Sequence, residues 1–261
     1  MFTLEGKRAL VCGSTQGIGK ACAIELARYG AEVTLVARNA ESLKAVCGEL
    51  DTARGQFHDT LVADFTDWQA LRDKATAYIS TNGPVQILLN NTGGPAAGPA
   101  SEAEPEAFEA AFKQHILCNQ ALVQAVVPGM KQAGYGRIIN IISSSVIMPI
   151  KGLGVSNTIR GAVANWGKTL SSELAPHNIT VNNILPGFID TARLGSLITG
   201  RAKRLNQSEA ETKKQMEATV AMGRFGEPAE VGRVVAFLAS PAASYINGVN
   251  LLVDGGRLAA S

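Results

Sequence analysis

The chain has 261 residues, 46% of them apolar and 18% charged, with a formal net charge of +2. That length can bury a large core in one α/β domain or two small ones, and so small a net charge gives no long-range attraction to nucleic acid or to an anionic membrane surface. No run of 18 apolar residues occurs and Met1 to Lys7 lacks the pattern of a secretory leader, so no membrane partner is expected. The four cysteines, Cys12, Cys22, Cys47 and Cys118, include no C-x-x-C pair. Three of them fall in segments that read as core, which predicts buried thiols in a reducing, cytoplasmic compartment and no metal site.

In chain order, Arg8 to Cys12 reads as a first strand and Gly17 to Tyr29 as a helix closed by Gly30. Glu32 to Ala37 reads as a second strand, followed by a helix from Ala40 to Ala53 capped by Asn39. Gln56 to Ala63 is a weaker third strand with apolar Phe57, Leu61 and Val62, and Asp67 caps a helix to about Ser80. A fourth strand covers Val85 to Asn90, and Thr92 to Ala100 is a loop rich in Gly and Pro. A long helix spans Pro105 to Gln132, with Phe108, Phe112, His115, Asn119, Leu122 and Val126 along one face. Then come a fifth strand (Arg137 to Ile142), a helix (Ser156 to Ala175), a sixth strand (Ile179 to Leu185), a polar helical excursion (Asp190 to Gly226), a helix (Pro228 to Ala239) and a seventh strand (Val249 to Val253). Apolar strands alternating with helices predict a doubly wound parallel sheet covered on both faces. No linker divides the chain, so 1–261 reads as one domain, with neither a repeat nor a low-complexity tract.

The segment between the first strand and first helix carries Gly13, Gly17 and Gly19, spaced G-x3-G-x-G. Glycines there let the chain turn tightly and let a diphosphate approach without meeting a Cβ, while the helix start offers unpaired N–H groups. A glycine-rich turn without a ligand is the alternative for this loop taken alone.

With Asp64 after strand three, Asn90-Asn91-Thr92-Gly93, Pro186-Gly187 after strand six and the Asn247-Gly248…Val253-Asp254-Gly255-Gly256 ending, the whole chain resembles a short-chain dehydrogenase/reductase. Within that family it is most similar to 3-oxoacyl-(acyl carrier protein) reductases and their relatives. The resemblance implies a Rossmann-type sheet of seven strands, a homo-oligomer (tetramer or dimer) built through the two long helices and last strand, and a small-molecule or acyl-thioester substrate. It also implies a dinucleotide held by Gly13, Ser14, Gln16, Gly17, Ile18 and Gly19 around the diphosphate. Asp64 and Phe65 would lie at the adenine, Asn91 and Gly93 on the ribose side, and Pro186, Gly187 and Ile189 at the nicotinamide. Strand two ends Ala37-Arg38-Asn39, with Arg38 in place of the acidic residue often found in NAD-using members. Arg38 would pair a 2′-phosphate, favouring NADP, with NAD as the alternative if this arginine is merely solvated.

The family's proton-transfer set is a Ser, a Tyr, a Lys four residues later and an Asn on the preceding long helix. Counted without gaps from Gly136-Arg137-Ile138-Ile139-Asn140, these positions hold Ser143, Ser156, Arg160 and His115. An aliphatic hydroxyl is a far weaker acid than a phenol, and a guanidinium keeps positive charge and can hold a nicotinamide ribose but cannot relay a proton. His115 is the one titratable newcomer, a proton donor, a holder of the water that the Asn would hold or, as its position favours, a histidine packed on the helix seam. Tyr135 precedes strand five and belongs at the far end of the sheet. Ser144 and Ser145 either add donors beside Ser143 or end the strand. Residues 190–226 occupy the substrate lid of the resembled family. Between Thr191 and Met222, Arg193, Arg201, Lys203, Arg204, Lys213 and Lys214 outnumber Glu209, Glu211 and Glu217, suiting an acidic carrier protein or a coenzyme A phosphate unless they form an ordinary solvated face. Two functional readings stand at this point: an NADP-dependent oxidoreductase acting on a carbonyl or alcohol, and an NADP(H)-binding pseudoenzyme serving as sensor, scaffold or partner subunit. Nucleic-acid binding is not expected.

Overall fold

The strands are β1 (Arg8–Cys12), β2 (Glu32–Ala37), β3 (Asp59–Val62), β4 (Ile87–Asn90), β5 (Gly136–Ile141), β6 (Ile179–Pro186) and β7 (Asn250–Val253). A computed structural model, which describes residues 2–259, pairs all seven in parallel in the order β3-β2-β1-β4-β5-β6-β7. The ends of the expected 1–261 domain, Met1 and 260–261, lie outside the described residues. The order reverses between β1 and β4, so their connections leave in opposite directions and open a crevice at the C-terminal strand ends. The central strands are buried on both faces, as their nearly unbroken apolar runs predict.

Helices α1 (Gly17–Arg28) and α9 (Pro228–Ala239) cover one face of the sheet. Helices α3 (Trp68–Asn82) and α5 (Cys118–Ala133), with the C-terminal part of α6 (Gly154–Leu174), cover the other. The expected caps form: Asn39 Oδ1 accepts from Ser42 N at 2.8 Å and Asp67 Oδ1 from Ala70 N at 3.0 Å. Gly30 takes φ +98° just beyond α1. Cys12, Cys22 and Cys118 are buried, Cys47 is partly buried, and all four are free thiols.

Three expected elements differ from the structure. Helix α2 runs only from Ala40 to Cys47, because the backbone turns off at Gly48 and the polar stretch to Gly55 offers no apolar face to continue it. The third strand shrinks to β3, leaving Phe57 outside it and largely exposed. The long helix is three pieces: α4 (Pro105–Phe112), a π-helical turn (Lys113–Leu117) and α5. A π turn takes up extra chain and shifts the facing that follows. Phe112, on the turn's N-terminal side, is out of step with the buried His115, Asn119, Leu122 and Val126 and is 43% exposed.

One polar feature runs across the apolar sheet. Asn90, Asn140, Asn183 and Asn250 are register partners on β4 to β7. They bond in sequence, Asn90 Nδ2 to Asn140 Oδ1, Asn140 Nδ2 to Asn183 Oδ1 and Asn183 Nδ2 to Asn250 Oδ1, each at 2.9 Å. Asn183 Nδ2 also donates to Ala164 O at 3.2 Å, tying α6 to the same ladder. Buried amides are costly unless paired, and here they brace the strands whose ends carry the crevice.

Candidate functional site

At the β1 end of the crevice, Gly13 adopts φ +60°, and a Cβ there would stand 2.7 Å from Asn91 O. A Cβ on Gly19 would collide with Gly13 O. Asn91 Nδ2 donates to Cys12 O and Gly13 O at 3.3 Å each, so the side chain expected on the ribose side first of all pins the glycine loop. Gln16, which precedes α1, makes no side-chain cap, leaving the first N–H groups of the helix free of side-chain partners. A glycine cradle ending in an uncapped helix start fits a diphosphate. Ser14 is buried, with its hydroxyl towards Val36 O at 3.4 Å, and Ile18 packs on the core, so both shape the loop from behind.

Along the rim, Asp64 is exposed and accepts from Thr66 N at 2.9 Å. That bond holds its carboxyl below the usual range, with lesser help from the charges of Arg38 and Lys74. Phe65 is buried, and its carbonyl accepts from Cys118 Sγ at 3.1 Å. Arg38 is exposed and in no ion pair among the described residues. At the opposite end, Gly187 N donates to Val253 O at 3.0 Å, joining the ends of β6 and β7 after Pro186. Ile189 is buried among the side chains beneath α1 and α9. The tail closes on itself, Asp254 accepting from Gly256 N and Leu258 N at 3.0 Å each.

Between these ends, two residues beyond β5, stands Ser143, whose Oγ accepts from Ser145 N at 3.1 Å and so keeps its own proton to donate. Ser144 and Ser145 are buried in the turn that follows. Ser156 is buried on the first turn of α6, one turn before Arg160. Arg160 is partly buried and donates to Ile141 O at 2.8 Å. Burial, and then the like charge of Arg193, bring its pKa down to about 10, so it remains a cation at neutral pH.

His115, on the π-helical turn, is buried and pairs Nδ1 with Thr92 Oγ1 at 2.6 Å. Its Nε2 has no partner within hydrogen-bond distance. Burial, and then the charge of Arg160, push its pKa down to about 3, with the Gly93 backbone acting weakly the other way. His115 is therefore neutral at physiological pH and braces the Thr92-Gly93 loop. An imidazolium acid is not what this pocket holds. Tyr135 donates to Ala239 O at 2.6 Å at the opening of β5, the far end of the sheet, as expected.

The structure thus brings Ser143, Arg160, His115 and the Asn91–Gly93 loop around the strand ends. It adds three residues that sequence reasoning gave no individual role: Thr92, Gly94 and Arg193. Thr92 lies inside the Asn-Asn-Thr-Gly motif, whereas nothing local to Arg193 sets it apart from the other cations of residues 190–226. Helices α7 (Ala192–Leu205) and α8 (Glu209–Glu217) pack together through Leu194, Ile198 and Met216, with Phe225 of the following segment.

Comparisons with known proteins agree with this geometry. The family described as Enoyl-(Acyl carrier protein) reductase matches residues 13–257. Gluconate 5-dehydrogenase of Gluconobacter oxydans (strain 621H) is 35% identical over 256 residues, 98% of this chain and 96% of that protein. The NADPH-dependent reductase BacG of Bacillus subtilis (strain 168) is 31% identical over 253 residues, covering 97% of this chain and 98% of that protein. Among solved structures, L-sorbose reductase from Gluconobacter frateurii, complexed with NADPH and L-sorbose, superposes with a TM-score of 0.91 at 28% identity over 98% of each chain. The sheet order, the glycine cradle and these matches over nearly the whole chain place the protein in the short-chain dehydrogenase/reductase family.

Proposed function

We propose that this protein is an NADP(H)-dependent oxidoreductase interconverting a carbonyl and an alcohol on a small polar molecule. The observation that carries it is the cradle of Gly13 and Gly19 against Asn91, opening onto the uncapped start of α1 at the switch point of the sheet. The relatives support the chemistry, since they are named as dehydrogenases and reductases, two with NADPH in their descriptions. Nothing in them favours the pseudoenzyme reading. Arg38, exposed just after β2 and in no ion pair among the described residues, is the residue for the 2′-phosphate. An acyl thioester is the second substrate reading, favoured by the family description and by the excess of positive charge on the lid.

The nicotinamide supplies or accepts the hydride when bound. Ser143 donates its hydroxyl to the carbonyl oxygen, and Arg160 offers fixed positive charge to the nicotinamide ribose and to negative charge developing beside it. His115 stays neutral and positions the Thr92-Gly93 loop. With Ser156 and Arg160 in the positions of the family's Tyr and Lys, the alkoxide takes its proton from water or through serine hydroxyls. With the His115 ring held down to about 3 and Arg160 still at about 10, neither changes charge near neutrality, so kcat should be nearly flat from pH 5 to 9. Cytoplasmic location is supported by the free thiols and by the absence, among the described residues, of a helix able to cross a membrane. Assembly as a dimer or tetramer is supported by exposed Phe237 on α9 and Leu252 on β7, and light scattering tests it.

The direct test is a titration of NADPH and NADH into wild type and Arg38→Ala, followed by NADPH oxidation with L-sorbose, 5-ketogluconate and 3-oxoacyl thioesters. Arg38→Ala should weaken NADPH by about tenfold or more while leaving NADH nearly unchanged. Equal losses would reject the cofactor assignment, and binding without oxidation of any substrate would reject the enzyme.

A further inference from the structure

Two guanidinium groups meet at the mouth of the site with no acid to neutralise them. A Cβ built on Gly94 would stand 3.4 Å from Arg193 Nη2 and 3.7 Å from Arg160 Nη2, so both tips reach one point on the Thr92–Ala100 loop. Arg160 spends one donor on Ile141 O, and Arg193 spends one on Pro95 O at 2.7 Å. Neither forms an ion pair with a carboxylate among the described residues. Each guanidinium has five N–H donors, so most of the fork on each side remains available.

The surroundings sharpen this imbalance. Three acids of this excursion are engaged elsewhere, and the fourth, Asp190, forms no ion pair among the described residues: Glu209 accepts from Thr199 Oγ1 at 2.7 Å, Glu211 closes a capping box with Ser208, and Glu217 lies 3.8 Å from Lys213. Arg204 adds a third cation at the rim, its Nη1 3.2 Å from where a Gly152 Cβ would stand. The Gly152 segment is in turn fastened to the loop, Gly98 N donating to Gly152 O at 2.8 Å and Gly154 N to Gly98 O at 2.9 Å. Like charges left this close without a counterion raise the energy of the empty site, and an oxyanion between them removes that repulsion and gains charge-assisted bonds.

We infer that Arg160 and Arg193, converging on Gly94, form a clamp for an anionic group of the substrate, a carboxylate or a phosphate ester. This rests on the oxidoreductase reading only for the word substrate, since the clamp itself needs just the two arginines. Arg193 comes from the first turn of the lid helix α7, so the anion would also draw the lid towards the Gly94 loop. An uncharged substrate would leave the two cations unsatisfied, and the clamp thereby selects for charge as well as for position.

Calorimetric titration of D-gluconate, glucose 6-phosphate and the neutral D-glucitol into the protein, with and without saturating NADPH, reads the clamp without turnover. We expect at least one anion to bind about tenfold or more tightly than D-glucitol, with a similar loss in Arg193→Ala and partial recovery in Arg193→Lys. Preference for gluconate assigns a carboxylate, and preference for glucose 6-phosphate a phosphate ester. Anion affinity no better than that of D-glucitol, or unchanged in Arg193→Ala, overturns the clamp. Anion binding abolished by NADPH also overturns it, because the point between the arginines would then be occupied by the nucleotide and closed to a substrate. A protein that binds gluconate through Arg193 but never binds NADPH refutes the oxidoreductase and leaves the clamp standing.

Discussion

Replacing His115 by Asn tests the electrostatic description of the pocket. The imidazole has a reference pKa of 6.5, pushed down to about 3 in the fold by burial and by Arg160. A folded-state value below the unfolded one means that the unfolded chain binds a proton first as pH falls, so acid destabilises the fold between these two values. Above pH 6.5 the penalty is nearly absent; at pH 5 it amounts to about 2 kcal/mol, and its ceiling near pH 3 is about 5 kcal/mol. Asparagine can place an amide where Nδ1 now meets Thr92 Oγ1, preserving that contact while removing the titration. The smaller side chain adds a cost of about 1–2 kcal/mol that does not depend on pH. Urea unfolding of wild type and His115→Asn at pH 7 and pH 5, followed by tryptophan fluorescence, separates the two effects. Wild type should lose about 2 kcal/mol more than the variant between those pH values, all other titrating groups cancelling in the difference. Equal losses, or an NMR titration placing the His115 ring near 6.5, would refute the buried neutral histidine.

The asparagine ladder predicts that Asn140→Leu, close in volume, destabilises by roughly 2–5 kcal/mol because amides of Asn90 and Asn183 lose their partner, measured as a shift in denaturation midpoint. Gly167→Ala should weaken the same region by about 1–3 kcal/mol, since its Cβ would stand 2.7 Å from Asn183 Oδ1; unchanged stability in both would refute a structural role for the ladder. The double change Ser156→Tyr with Arg160→Lys should restore a titrating phenol and lysine, so the pH profile of kcat gains a limb between pH 6 and 9 that wild type lacks.

The properties that proved legible in the sequence are those set by neighbours along the chain. Apolar runs of a few residues gave every strand, and Asn39 and Asp67 announced their helices because a cap acts three residues ahead. The π-helical turn left no such mark: Lys113 to Leu117 reads as ordinary helix, and only packing against α6 and the Thr92 loop decides that an extra residue is taken up there. A helical count puts Phe112 on the face of His115 and Asn119, and the break between them turns it outward.

The site divides in the same way. The glycine cradle is a local backbone demand and stands out as Gly13, Gly17 and Gly19. The pairs that set the charge and protonation of the site join residues far apart in the chain, Thr92 to His115 and Arg160 to Arg193. Each asparagine of the ladder looks like a polar defect in its own strand, and only its register partners, drawn from three other strands, explain it. Because the ladder, the Asn91 anchor and the His115–Thr92 contact fix the framework without help from Ser156, that side chain is free to vary without unfolding the site, and Arg160 need only keep its bond to Ile141 O. A change there alters the chemistry offered to the substrate while the nucleotide cradle, held by backbone geometry at β1 and α1, stays as it is.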